Sequence, residues 1–412
     1  MKGVEMKRNS HLSSHINFSC TKYDRVNRSS LTHRTMSTAR ALCSKVASWI
    51  LIVYASTAIV RLILLSDSNK RVYNHSPGPC RVLQGIKNGS AGIEYVHELN
   101  IAFITNGLGA MHGKGIGRIF TYSFKQLEGN SEPHAAVPLL IEPSATFDQT
   151  RFAPHGLSAY VSKGRVSLYV VNAHPERQCV EVFVFHKDKQ LLAHRKSICD
   201  SRFSSLVDVS VVGADRFFVT NLAYFSRGWL QYAELAMQSS FGSLLFYDGR
   251  RVEYVERFLG SPSGVFYDAP RRRLIVGSLL NEMLRVFTMN ADLSLRHTTD
   301  IGLLTSPVGI YADKKTGDLI TATHPVFFSA FMHWSEANQK ERQRTPSQVL
   351  RIRIQEDGVS WVITEPYAND GATIAGGNAV AWHGREEEQA QLLVGTLFGK
   401  ALLCAVENPQ IT

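Results

Sequence analysis

Tyr267-Asp-Ala-Pro-Arg-Arg-Arg273 and Tyr311-Ala-Asp-Lys-Lys-Thr-Gly-Asp318 stand 44–45 residues apart, and each runs straight into an apolar stretch, Arg273-Leu-Ile-Val-Gly277 and Asp318-Leu-Ile-Thr-Ala322. A polar turn followed by a short β-branched run is a strand signal, and its recurrence at this period suggests a repeated sheet unit. The same kind of run returns along the chain at Ile101–Ile104, Val166–Val171, Val180–Phe185, Arg216–Thr220, Ser243–Tyr247, Gln348–Ile352 and Gln391–Gly395. Turn signals such as Lys187-Asp188, Asp248-Gly249 and Asp357-Gly358 separate them. Helical patterning is confined to Gly228–Gln238. Many short strands with almost no helix predict radial repetition or a large sandwich, and four-stranded blades of roughly 40–50 residues fit the observed period.

Upstream lies a different kind of sequence. Val46–Val60 is uncharged, and with Arg61 and Leu62–Leu65 it makes a run of about twenty residues, the length that crosses a bilayer core of ~30 Å. Arg61 sits near one end, where its stem can snorkel to the headgroups. Residues 1–45 carry nine basic side chains against Glu5 and Asp24, a charge of +7. The whole chain carries +10, so the rest holds only +3, and the basic balance belongs to a tail rather than to a nucleic-acid-binding face. The long basic flank and the lack of a small-x-small cleavage site predict an uncleaved signal anchor. The positive-inside rule then gives a single-pass type II membrane protein, with the exported part in the endoplasmic reticulum lumen or outside the plasma membrane. The expected layout is a cytosolic tail over 1–45, a transmembrane segment over 46–65, a stalk over 66–77, a globular domain over 78–405 and a short tail over 406–412.

Cys20 and Cys43 fall on the cytosolic side and are expected to stay reduced, whereas Cys80, Cys179, Cys199 and Cys404 are exported and can pair. Cys179 and Cys199 lie symmetrically about the turn at position 189, so a hairpin could bring them together; two buried thiols are the alternative. Asn74-His-Ser76 and Asn88-Gly-Ser90 are exported glycosylation sequons, whereas those at Asn17 and Asn27 should be silent.

Six phrases in order make the chain resemble the paraoxonase/arylesterase family over residues 78–405. They are Gly78-Pro-Cys80 with Gly85-Ile86 and Gly89-Ser90; Phe152-Ala-Pro-His-Gly-Leu-Ser158; Val170-Val-Asn172 with His174-Pro175; Asp313–Leu319 with His324-Pro325; Ser347–Ile352; and Leu393–Cys404. The resemblance implies an all-β six-bladed propeller, here behind an N-terminal transmembrane helix, with a central tunnel holding two calcium ions. It implies hydrolysis of lactones and aryl esters by a histidine dyad, which His155 and His174 would supply as catalytic residues. Ala173 intervenes between Asn172 and His174 where the family pattern has no residue. The resemblance also implies a Cys80–Cys404 disulfide.

The calcium positions depart from that pattern. Ala91, Val207, Ser263, Val308 and Gly309 stand where the family has a Glu, two Asn and an Asp-Asn pair. The second ion keeps Asp208 and loses its other carboxylate to Gly92. Calcium takes six to eight oxygen ligands, several of them carboxylate or amide. The expected metal-site remnant is therefore Asp208 with a weak contribution from Ser263, unless Asp148, Asp200, Asp215 or Asp268 supplies ligands instead. Two expectations follow. One is a membrane-bound accessory subunit or chaperone for another membrane protein, since membrane-anchored nematode relatives assist degenerin-type sodium channels. The other is a calcium-dependent arylesterase or lactonase acting on a small ester or lactone. Neither implies a nucleic-acid partner.

Overall fold

The computed structural model describes residues 30–67, 69–124, 134–226, 228–239, 241–335, 344–355, 357–358, 360–384 and 390–407. Cys20, the Asn17 and Asn27 sequons and most of both terminal tails lie outside the described residues. One long helix, Ser30–Ser66, contains a stretch apolar and long enough to cross a membrane, Ala41–Arg61, a few residues upstream of the span read from sequence. Cys43 on this helix is an exposed free thiol.

The remaining chain forms six antiparallel sheets whose strands follow one another outward from a central axis. Their innermost strands are Ile93–Val96, Pro154–Ser162, Leu206–Gly213, Pro262–Asp268, Ser306–Ala312 and Gly377–His383. Each packs against the next, and the sixth packs against the first, so the ring is closed. We number the blades one to six in that order. Ring closure is made by the chain's two ends: Cys80–Val82 adds to the last strand, Leu402–Val406, as the outer strand of blade six. Cys80 faces Cys404 in register and the two form a disulfide. In the chain-entropy picture, tying ends 324 residues apart stabilises the fold by about 6 kcal/mol. Cys179 and Cys199 pair across the hairpin of Cys179–His186 and Leu191–Cys199 and form the second disulfide.

The second strand of each blade explains why sheets form here. Ile101–Asn106, Leu319–His324 and Ala390–Thr396 are buried at every position, because neighbouring blades cover both faces. Phe103, Phe152 and Phe183 between blades one and two are completely buried, each contributing about 1.5–3 kcal/mol. The repeated turns at 267–273 and 311–318 join first to second strands in blades four and five, and they touch: the Arg271 guanidinium donates to the Lys315 carbonyl (2.8 Å) and that of Arg273 to Gly317.

Two helices interrupt the pattern. Gly228–Ala236 matches the expected helix, and Phe327–Ser335 is an addition that sequence reading missed. Each connects the second strand of its blade to the third, so both sit at the same end of the propeller.

Candidate functional site

The axis of the ring holds two cavities stacked end to end. The upper one, about 70 Å³, lies under the two helices and is lined mainly by apolar side chains, among them Leu222, Leu235, Phe327, Phe331 and Trp334. The lower one, about 40 Å³, runs between the inner strands and carries Glu94, Ser158, Asp208 and Ser210. We call them the chamber and the throat. His155, Val207, Val308 and Asn378 line both and form the layer between them.

That layer is where the family's catalytic ion would sit, and the donors around it are committed elsewhere. The Ser263 hydroxyl donates to the Pro307 carbonyl (2.7 Å), and the Asn378 amide nitrogen donates to the Ala91 carbonyl (2.7 Å). Val207 and Val308 offer no oxygen from their side chains. The room for lost ligands has closed as well. A Cβ on Gly309 would stand 2.4 Å from the Asn378 carbonyl oxygen, and one on Gly92 would stand 2.5 Å from that of His155. The residues present therefore do not fit a calcium ion at this level, and no group of three or more metal-ligating side chains occurs among the described residues. The alternative carboxylates do not line the tunnel: Asp148 caps Thr150, Asp200 pairs with Arg202, Asp215 with Lys196, and Asp268 with Arg273.

Asp208 is held as an inter-blade clasp. One carboxylate oxygen accepts from its neighbour's Val209 N–H (2.9 Å) and the other from Val265 N–H of blade four (3.0 Å). Glu94 clasps blades one and two by accepting from Ala159 N–H (3.2 Å). Both are half-buried and line the throat. Burial pushes Asp208 up to about 7, against the lowering effect of its two amide donors, and pushes Glu94 up to about 8. Sequence reading missed Glu94; its place two residues after Gly92, on the same face of an inner strand, was the available signal.

His155 lies in the dividing layer, buried, with Trp334 stacked at 6.0 Å between centroids. Neither ring nitrogen makes a hydrogen bond of good geometry among the described residues. Burial lowers its pKa to about 4, a backbone contact with Leu206 offsetting this only in part, so the ring is neutral at pH 7. His324, also in the chamber, is lowered to about 3 by burial and by His333, and its Nδ1 is unpaired. His174 lies elsewhere. It follows the strand Arg165–Asn172, its Nδ1 accepts from Glu176 N–H (3.4 Å), and it lines neither cavity. The tunnel thus brings His155 together with His324 and Ser263, not with His174. Asn74 and Asn88 are exposed; the Asn74 side-chain oxygen accepts from Asp370 N–H (2.6 Å).

A six-bladed propeller closed by its own termini, with a histidine at the waist of the tunnel, defines a class. Residues 72–406 match the arylesterase family profile, and the chain belongs to that family. It is 41% identical to Mechanosensory abnormality protein 6 of Caenorhabditis elegans, over 91% of this chain and 99% of that protein. It is 30% identical to serum paraoxonase/arylesterase 2 of Gallus gallus, over 79% of this chain and 88% of that protein. It is 27% identical to serum paraoxonase/arylesterase 1 of Homo sapiens, with the same coverage of both.

Proposed function

We propose that the chain is a type II membrane protein whose exported propeller assists another membrane protein, of the degenerin sodium-channel type, as an accessory subunit or chaperone. The observation that carries this reading is the waist of the tunnel. Two valines, a committed hydroxyl and a committed amide occupy the level at which a divalent ion would polarise an ester carbonyl. Without that Lewis acid, water activation by a neutral histidine supplies only about 10²–10⁴-fold. Similarity to a nematode protein named for a mechanosensory defect supports the same reading, as do the +7 flank and an apolar helix suited to anchoring. The test is co-expression of the full chain with a degenerin-type channel. Larger sodium current or more channel at the cell surface is expected; no change in either rejects the reading. Orientation is tested separately: an endoglycosidase shift should survive Asn17→Gln with Asn27→Gln and vanish with Asn74→Gln and Asn88→Gln.

The second reading, a calcium-dependent arylesterase or lactonase, draws on one observation, the unpaired ring nitrogens of His155 beside an apolar chamber. It requires calcium-dependent turnover of an ester or lactone panel that falls on His155→Gln.

A further inference from the structure

Three residues from distant parts of the chain meet where the stalk joins the ring, and all three hold left-handed backbone: Asp67 (φ 51°), Glu282 (φ 50°) and Leu304 (φ 57°). Asp67 follows the long helix directly, Glu282 lies in the turn between the second and third strands of blade four, and Leu304 precedes the inner strand of blade five. Outside glycine this conformation costs free energy and persists only where contacts over-determine it. The contacts here are few. The Glu282 carbonyl accepts from the Leu303 N–H (2.8 Å). The Lys70 N–H donates to the Asp67 carbonyl (2.9 Å). The Lys70 ammonium donates to the Leu304 carbonyl (2.7 Å) and pairs with Asp67 Oδ1 (2.9 Å).

The remaining contact joins two acids. The Glu282 carboxyl lies within hydrogen-bond reach of that of Asp67. Asp67 is 6% exposed, and its Oδ2 meets no donor among the described residues; the same holds for the buried Oε1 of Glu282. Two ionised carboxylates offer acceptors only, so they repel out of water. Lys70 leaves the trio at a charge of −1. A proton on one carboxyl neutralises the trio and turns the repulsion into an O–H···O⁻ hydrogen bond, one of the strong kinds. Among the described residues no other charged side chain acts on Glu282. Blade five brings Leu303, Leu304 and Thr305, and Arg285 and Asp300 on the adjoining strands of blade four are spent on each other (3.1 Å). Burial first, and then the Asp67 carboxylate, push the Glu282 pKa above its ordinary value, while Lys70 pulls it down.

We propose that Asp67 and Glu282 hold one proton between them, and that this bond is a pH-sensitive latch fastening the start of the stalk to blade four. The proton comes from water and returns to it. Since the folded-state value of Glu282 is raised, the bond is complete below the ordinary Glu pKa of about 4.3 and is lost as pH rises through the raised value. With the proton gone, two carboxylates compete for one ammonium, and the left-handed turn at Asp67 loses part of what holds it. The far end of the stalk is fastened independently: His75 exchanges two backbone hydrogen bonds with Ala368, and Asn74 accepts from the Asp370 N–H. Rising pH therefore loosens Asp67 and Lys70 and leaves Asn74 and His75 in place. The latch holds under either reading of the function.

The test is hydrogen exchange at single amides of the full chain in detergent micelles, from about pH 5 to about pH 9, corrected for intrinsic exchange and run with and without chelator. In the parent, protection of the Lys70 N–H should hold at the acid end and then fall by up to about tenfold per pH unit, the limit for one proton, while that of the His75 N–H stays constant. Glu282→Gln, whose amide donates without titrating, should keep Lys70 protected across the range, and Glu282→Ala should expose it throughout. Protection of Lys70 that ignores pH in the parent, or that falls in Glu282→Gln as it does in the parent, overturns the proposal. So does acid-end protection that chelator abolishes, because a cation would then stand where the proton is placed. If Glu282→Ala does not fold, the parent and the isosteric Glu282→Gln decide between these outcomes by themselves.

Discussion

The chamber and the throat share one axis and four lining residues, yet they solve opposite physical problems. The chamber has shed charge: its floor is valine, and its polar groups are neutral histidines, a hydroxyl and an amide. The throat has kept its carboxylates and uses them mechanically, Glu94 across blades one and two and Asp208 across blades three and four. A bound ion at the axis would tie several blades together through one centre. Here the ties are pairwise: Ser263 to Pro307 links blades four and five, and Asn378 to Ala91 links six and one. Losing the ion therefore need not loosen the ring, provided that each hydrogen bond replaces a ligand with something that still spans two blades.

The largest effect should come from forcing throat chemistry into the waist. Val207→Asp places a carboxylate in the apolar waist with no cation among the residues that line it, and its cost is expected at roughly 3–5 kcal/mol, the scale of an uncompensated buried charge. Denaturant unfolding measures it. Added calcium should not rescue the variant; rescue would mean that the waist still assembles an ion site. Gly156→Ala attacks the boundary from below. Its Cβ would stand 2.0 Å from Asp208 Oδ1 and 2.6 Å from Asp208 Cα, so overpacking of about 1–3 kcal/mol is expected, with the Asp208 clasp broken.

Acidity separates the halves by sign. Glu94 and Asp208 have raised folded-state pKa values, so their contribution is complete below about pH 4 and is lost as pH rises through about 7–8. His155 and His324 have lowered values, so theirs is complete above about pH 6.5 and is lost as pH falls through about 4 and about 3. Between pH 6.5 and 8 only the carboxyls act, and stability should fall with rising pH by at most about 1.4 kcal/mol per unit for each proton. Glu94→Gln should flatten part of that fall in a series of thermal melts; an unchanged slope would mean that tunnel water solvates the carboxylate fully. The smallest effect is Ser263→Ala, which strands the Pro307 carbonyl and should cost about 1–2 kcal/mol. Chelator should leave both the parent and this variant where they were.

Legibility followed burial. All nine strands read from the sequence are second or third in their blades, sealed on both faces by neighbouring blades and hence continuous apolar runs. The innermost strands were opaque as strands because they alternate toward the tunnel and carry Gly, Ser and Pro where blades approach closely, as in Pro262-Ser-Gly264 and Pro307-Val-Gly309. Phe327–Ser335 was missed because a run of aromatics has strand propensity; its helix is dictated by packing over the chamber, through Phe327, Ala330, Phe331 and Trp334. At the site, family phrases located His155, Asp208 and Ser263 in the tunnel, but the placing of His324 in the same chamber as His155, and the roles of Glu94 and Asn378, depend on which residues the ring brings opposite one another. No spacing in a single chain encodes that.

The closure of blade six sets a timetable for biosynthesis. Cys80 emerges among the first residues of the propeller, whereas its strand partner, Leu402–Val406, emerges among the last. Until translation is nearly complete the first strand has no sheet to join, and on the type II topology proposed above its thiol stands open to lumenal oxidases and thiol-retention machinery. A chain that stops anywhere before residue 404 never conceals that thiol, so even a late truncation that spares five complete blades should be held back and degraded rather than exported.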